Sequence, residues 1–214
     1  MDELAYIIDK YSLDTSTSPV EIPDTGRVTL ASLFAELGYT KGAEIGVAEG
    51  RYSEVIAKAN PGVDLYCVDS WKAYQGYRDY TDQEKLEMLQ RKAQARLINL
   101  GCKLIWMESM EAVKHFEDGE LDFVYIDANH EWPYVAHDIY YWSAKVRPGG
   151  IVSGHDYYRS NRRDSKCHVK GVVNGYTFAF RIHPWFILGL DAKIPGMIRD
   201  SSRSWFWVKD ERLH

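Results

Sequence analysis

From about residue 43 the chain alternates short apolar runs with segments whose apolar residues recur at helical spacing. Ala43 to Val47 is a first strand-like run, and Tyr52 to Ala59 reads as a helix stopped by Asn60-Pro61-Gly62. Asp64 to Val68 (DLYCV) is a second run. Gln83 to Leu100, rich in Lys, Glu, Gln and Ala and closed by Gly101, predicts a long helix. Lys103 to Met107 (KLIWM) predicts a third strand, Ser109 to Phe116 a short helix, and Leu121 to Ile126 (LDFVYI) a fourth strand. Trp132 to Val146 then reads as a helix with Val135, Ile139 and Trp142 on its apolar face. Pro148-Gly149-Gly150 predicts a turn into a fifth strand, Ile151 to Ser153.

The two ends are less regular. Thr29 to Leu37 has apolar residues at 30, 33, 34 and 37, with Thr29 as cap and Gly38 as stop. Residues 1–26 are polar with two weak apolar patches, and Asp14 to Pro23 (DTSTSPVEIP) predicts a loop. Val169 to Ile182 reads as a helix. Trp185 to Leu188 and Ser204 to Val208 read as late strands forming an antiparallel hairpin on the sheet edge.

Apolar strands separated by helices specify a parallel sheet covered on both faces. The expected fold is therefore α/β: a Rossmann-like three-layer sandwich with a mostly parallel seven-stranded sheet. A single domain over 1–214 is expected, with an N-terminal helical or loop extension (1–41), a core (42–158) and C-terminal helix and edge strands (159–214). Right-handed crossovers bring the strands' carboxyl ends to one edge, where ligands of such sheets bind.

Composition narrows the classes. The chain has 214 residues, 45% of them hydrophobic, enough for one sizeable core. The acidic opening MDELAYIIDKYSLD lacks the features of a signal peptide, and no run of eighteen apolar residues occurs. A cytoplasmic protein without a membrane partner is the expectation. Cys67, Cys102 and Cys167 are dispersed, which argues against a disulfide framework or a zinc site. The net charge is −5 and no long basic block occurs, so a nucleic-acid partner is not expected. The local cluster Arg159, Arg162, Arg163, Lys166 and Lys170 reads as a solvated loop that could also meet an anionic substrate. The many aromatic residues suggest exposed aromatic surface and a homodimer.

Candidate chemistry follows the strands. Glu44-Ile45-Gly46-Val47-Ala48-Glu49-Gly50 leaves a strand and opens a helix. Gly46 and Gly50 permit a tight turn and close approach of a ligand. Their spacing is not the Gly-x-Gly-x-x-Gly of dinucleotide enzymes, which weighs against an NAD-binding protein. Glu44 is acidic within a strand and can face a cationic ligand end. Asp69 ends the second strand, where a carboxylate can accept from ribose hydroxyls. Ser70 and Trp71 follow, and the indole could cover an adenine or ribose face. Glu108, Ser109 and Met110 follow the third strand, where Ser109 can meet a base edge and Met110 pack on it, or Ser109 can simply cap its helix. Asp127, with His130, follows the fourth strand; His155 and Asp156 follow the fifth. Two carboxylates and a histidine converging there would suit Mg2+ or a similar divalent ion, or would bond only among themselves. His130 or His155 could act as general base.

EIGVAEGRYS, VDSW, DFVYIDANHEW and PGG-x-VSGHDY together resemble class I S-adenosylmethionine-dependent methyltransferases, in particular the small O-methyltransferase-like group. That group includes macrolide and sugar O-methyltransferases and cephalosporin-hydroxylase-like relatives. The resemblance covers roughly residues 42–158. It implies S-adenosyl-L-methionine as cofactor, with the Glu44–Gly50 loop, Val47 included, on its methionine part. Asp69 would hold the ribose, and Trp71, Ser109 and Met110 would flank the adenine. Asp127 and Asp156 match metal positions of the metal-dependent members, with His155 where a second acid often stands. The expected reaction is methylation of a hydroxyl on a small molecule or sugar, with Asp127 and His130 as the catalytic pair. A hydroxylase-like enzyme, an N-methylating relative and a non-catalytic cofactor-binding module remain alternatives. Tyr74, Tyr77 and Tyr80 are candidates for a lid over the acceptor.

Overall fold

Strands that are apolar on both faces must be covered on both, and one sheet between two sets of helices meets that need. The computed structural model describes residues 2–74, 80–158 and 166–211. In chain order the elements are α1 (Glu3–Tyr11), β1 (Val20–Ile22), α2 (Arg27–Glu36), β2 (Lys41–Ile45), α3 (Arg51–Ala59), β3 (Asp64–Asp69) and α4 (Gln83–Leu97). They continue with β4 (Lys103–Trp106), α5 (Ser109–Ala112), β5 (Leu121–Ile126), α6 (Trp132–Lys145), β6 (Val146–Gly154), α7 (Val169–Ala179), β7 (Phe186–Leu188) and β8 (Trp205–Val208). The sheet has eight strands in the order β1-β7-β8-β6-β5-β2-β3-β4. β4, β3, β2, β5 and β6 run parallel, and β8 is antiparallel to both β6 and β7. This is a Rossmann-like architecture, a mostly parallel sheet with an antiparallel strand β8.

Alternate residues of β5 divide between two cores. Phe123 and Tyr125 join the cluster of α1 to α4, while Leu121, Val124 and Ile126 join that of α5, α6 and α7. Phe123 stacks on Phe34 at a 4.0 Å centroid separation. Gly42 makes room for that ring, since a Cβ there would lie 2.2 Å from it. Five tryptophans (Trp71, Trp142, Trp185, Trp205 and Trp207) are buried, and Trp106 and Trp132 are exposed.

The structure departs from the sequence-based expectation at identifiable places. Val20–Ile22, within the expected loop 14–23, is an eighth strand. It pairs parallel with β7, and the Val20 amide donates to the Trp185 carbonyl at 2.8 Å. The C-terminal antiparallel pair is therefore present but is not the sheet edge. Pro148-Gly149-Gly150 is not a turn before β6 but part of it, where the register against β5 shifts. A Cβ on Gly150 would stand 2.4 Å from the Asp122 carbonyl oxygen, so glycine lets the irregular strand pass β5. In the polar N-terminal stretch, Asp2 caps α1 by accepting from the Ala5 amide at 3.0 Å.

β2 is central, with β3 on one side and β5 on the other. The chain leaves β2 toward one neighbour and later returns to the other. That reversal opens a crevice at the carboxyl ends, where Gly46, Asp69 and Asp127 emerge.

Candidate active site

The β2–α3 loop is shaped by contact with β5. Gly46 has φ +91°, and a Cβ there would lie 2.2 Å from the Asp127 carbonyl oxygen. Only glycine fits both the conformation and the approach. The side chain of Asp69 holds the same loop from the other side. Its Oδ2 accepts from the amides of Val47 (3.0 Å) and Ala48 (2.9 Å) and from the Tyr80 hydroxyl (2.6 Å), and Oδ1 accepts from the Trp71 amide (2.9 Å). Burial pushes this carboxyl above its ordinary range, and the donors oppose that shift.

Two residues expected to meet the ligand lie outside the clefts. Trp71, with φ +42°, turns under the loop and is 2% exposed, and its indole N–H donates to the Ala48 carbonyl at 2.7 Å. It braces the loop and lines neither cleft described below. Gly50 also lies outside both clefts. Its φ is +75°, and a Cβ there would meet Leu97 at 3.0 Å, so its requirement comes from helix packing.

Two clefts flank the loop. The first is lined by Gly46, Asp69, Ser70, Ser109, Met110 and Asp138, with Tyr74, Tyr80 and Tyr134 at its aromatic side. Tyr74 and Tyr80 thus border this cleft, and Tyr77 lies outside the described residues. Ser109 does not face a ligand freely: its Oγ accepts from the Trp142 indole at 2.8 Å, and its hydroxyl donates to Asp138.

The second cleft is lined by Arg27, Glu44, Val47, Tyr52, Asp127 and His130, and shares Gly46, Ala128 and Tyr80 with the first. Glu44 is 2% exposed and accepts from the Ser53 hydroxyl; burial raises its pKa to about 8. Arg27, which no sequence motif marks, stacks its guanidinium on the Tyr52 ring at 5.5 Å and forms no ion pair among the described residues.

Beyond Gly46 and Ala128, two acids meet two histidines. His130 Nε2 lies 3.0 Å from Asp156 Oδ2 and 3.4 Å from Asp127 Oδ1. His155 Nδ1 lies 3.6 Å from Asp127 Oδ2 and 3.5 Å from Asp156 Oδ2. Ligating atoms of Asp127, His130 and Asp156 all fall within 4.8 Å of one another. The carboxylates raise the pKa of His130 to about 10 against the opposing effect of burial, and raise that of His155; the imidazoles hold Asp156 well below the ordinary carboxylate range. At neutral pH His130 is thus an imidazolium between two carboxylates. Of the basic segment, Lys166 pairs with Glu131 at 3.0 Å and Lys170 lies 4.9 Å from the centre of the Tyr157 ring; Arg159, Arg162 and Arg163 lie outside the described residues.

A family model described as a methyltransferase domain matches residues 43–157, more than half of the chain. The chain belongs to this methyltransferase-domain family. A tRNA (guanine-N(7)-)-methyltransferase from Streptococcus pneumoniae is 27% identical over 95 residues, 44% of this methyltransferase and 39% of that protein. The chain therefore spans about two fifths of the curated relatives it matches. The O-methyltransferase from Bacillus cereus, solved with SAH, superposes with a TM-score of 0.60 at 16% identity, covering 97% of this chain and 89% of that one. TomG from Streptomyces achromogenes, an O-methyltransferase of tomaymycin synthesis solved with SAM, gives 0.58 at 16% identity, covering 85% and 79%. At these identities the likeness is one of fold. No helix among the described residues is long and apolar enough to cross a membrane.

Proposed function

We propose that this methyltransferase binds S-adenosyl-L-methionine across the two clefts and transfers its methyl group to a hydroxyl of a small molecule or sugar. The observation that carries the reading is the junction of the clefts at Gly46, Ala128 and Tyr80. On one side lie groups suited to a nucleoside: Asp69, Ser70, Ser109 and Met110. On the other lie Glu44, Asp127 and His130. The adenosyl group fills the first cleft, and the methionyl end passes Gly46 into the second, where Glu44 faces its cationic groups.

In the reaction the acceptor oxygen attacks the sulfonium methyl carbon as the carbon–sulfur bond breaks, leaving neutral S-adenosylhomocysteine. The hydroxyl proton must leave, and the clefts' contribution is alignment plus a proton acceptor. Asp127 and His130 are assigned to that acceptor. Because His130 carries a proton between the two carboxylates, it serves as base only after that proton is released. Asp127, whose oxygens lie at 3.4 Å and 3.6 Å from the two imidazoles, orients both rings.

The donor set also fits a divalent ion. Adjacent ligands of an octahedral ion at about 2.1 Å stand about 3 Å apart, and the His130 to Asp156 separation is 3.0 Å. Asp127, His130 and Asp156 would hold Mg2+ or a softer ion in place of the imidazolium proton, with His155 beside them. Such an ion would lower the pKa of a bound hydroxyl.

Incubation with S-adenosylmethionine and a panel of sugars, phenols and tRNA, with Mg2+ or with chelator, tests the proposal by mass spectrometry. Methylation at oxygen of a small molecule is the expected result. Methylation of nitrogen or of tRNA would overturn the acceptor assignment. Cofactor binding with no S-adenosylhomocysteine from any acceptor would favour a non-catalytic module.

A further inference from the structure

α6 carries an acid on its apolar face. Asp138 lies among Val135, Ile139 and Trp142, all buried, and is itself 3% exposed. One oxygen, Oδ1, accepts from the Ser109 hydroxyl, whose own oxygen accepts from the Trp142 indole. The other oxygen has no hydrogen-bond donor among the described residues, yet it is not among the sealed, partnerless buried atoms. Asp138 lines the first cleft, so that oxygen opens onto it. A buried acid serving only the fold would have both oxygens satisfied. Burial without a second donor raises its pKa to about 7, as expected of a carboxylate awaiting a partner.

We infer that Asp138 reads the 6-position of the bound purine, accepting a hydrogen bond from the exocyclic amino group of adenine and rejecting a 6-oxo purine. This rests on the reading of the first cleft as the adenosyl pocket. The Trp142–Ser109–Asp138 relay fixes the polarity. Trp142 N–H can only donate, so Ser109 must accept from it and spend its own proton on Asp138. In the ionised acid the free oxygen is then an acceptor toward the cleft. An adenine amino group supplies the missing donor. A 6-oxo group brings a second acceptor against it and leaves both unpaired.

The same relay dictates what an amide would do. In Asp138→Asn the Ser109 proton still needs an acceptor, so the amide carbonyl turns to Ser109 and the NH2 group turns to the cleft. The site then presents a donor and favours the 6-oxo ring.

Isothermal titration of the full chain at about pH 8.5, where Asp138 is ionised, with S-adenosylhomocysteine and with its 6-oxo analogue S-inosylhomocysteine tests this. The wild type is expected to prefer the adenosyl compound by about ten- to a hundredfold, the range set by one unpaired buried polar group. In Asp138→Asn the preference should vanish or invert, with cooperative thermal unfolding showing that the variant is folded. Tight binding of S-adenosylhomocysteine by the wild type with equal affinity for the 6-oxo analogue overturns the inference and leaves the proposed function standing, whether or not the variant folds. An unchanged preference in a folded variant overturns it too. Failure of the wild type to bind either compound removes the adenosyl pocket itself.

Discussion

Replacing Glu44 by Gln should flatten the pH dependence of stability between about pH 5 and pH 8. The Glu44 carboxyl is buried, with the Ser53 hydroxyl as its hydrogen-bond donor. Its pKa rises from 4.5 to about 8, mainly through burial; Asp127 and Asp69 add repulsion, and Ser53 and Arg27 oppose the rise. The folded chain therefore holds a proton that the unfolded chain releases. The stability tied to that proton is complete below the unfolded pKa and is lost as pH climbs through the folded value. Within that window the slope approaches about 1.4 kcal/mol per pH unit for one group. Glutamine matches the protonated acid in shape and keeps an oxygen for Ser53, so near pH 5 the variant should lose less than about 1 kcal/mol. Near pH 8.5 it should be more stable than the wild type, because no charge has to be buried. Urea unfolding of both proteins from pH 5 to 8.5 gives the difference curve. Asp138 and the histidine cluster also titrate, but they do so in both proteins and cancel in the difference. Parallel curves across that range would refute the reasoning.

Other substitutions probe other links. Gly46→Ala forces a positive φ on alanine and a contact 2.2 Å from the Asp127 carbonyl oxygen, so it should cost at least about 2 kcal/mol in urea unfolding and abolish S-adenosylhomocysteine binding. Asp127→Ala should lower turnover by at least about a hundredfold while cofactor affinity, read by titration calorimetry, stays within a few fold. Lys209, 4% exposed, donates to the carbonyls of Ser143 (2.9 Å) and Val146 (2.8 Å) where α6 ends. Lys209→Met leaves those carbonyls unpaired and should cost about 2–4 kcal/mol by chemical denaturation, with no change in cofactor affinity.

The sequence made the parallel core legible because its strands carry their own signal. LDFVYI and DLYCV are apolar on both faces and bounded by turn formers, and the helices between them have 3.6-residue periodicity. β1 has no such signal. Val20, Glu21 and Ile22 sit between two prolines, and only pairing with β7, near the other end of the chain, makes them a strand. The site was legible where chemistry follows a strand end: Gly46, Asp69, Ser70, Ser109, Met110 and Asp127 do gather at the crevice. The inward turn of Trp71 is not legible in its adjacency to Asp69, because it follows from a positive φ. Arg27 opens α2 with no motif around it, and reaches the second cleft only through the packing of α2 against α3. Asp138 did leave a trace. An acid at a position flanked by Val135, Ile139 and Trp142 interrupts the apolar stripe of a helix, and that pattern calls for a buried partner or a ligand.

The central claim is that one nucleoside group is gripped where β2, β3, β4 and β5 end. A crystal structure of the complex with S-adenosylhomocysteine measures this directly. The adenosyl group is expected in the cleft between Asp69 and Ser109, with the homocysteine chain crossing Gly46 toward Glu44. Density for the nucleoside at any other part of the surface, with that cleft still filled only by solvent, would contradict it.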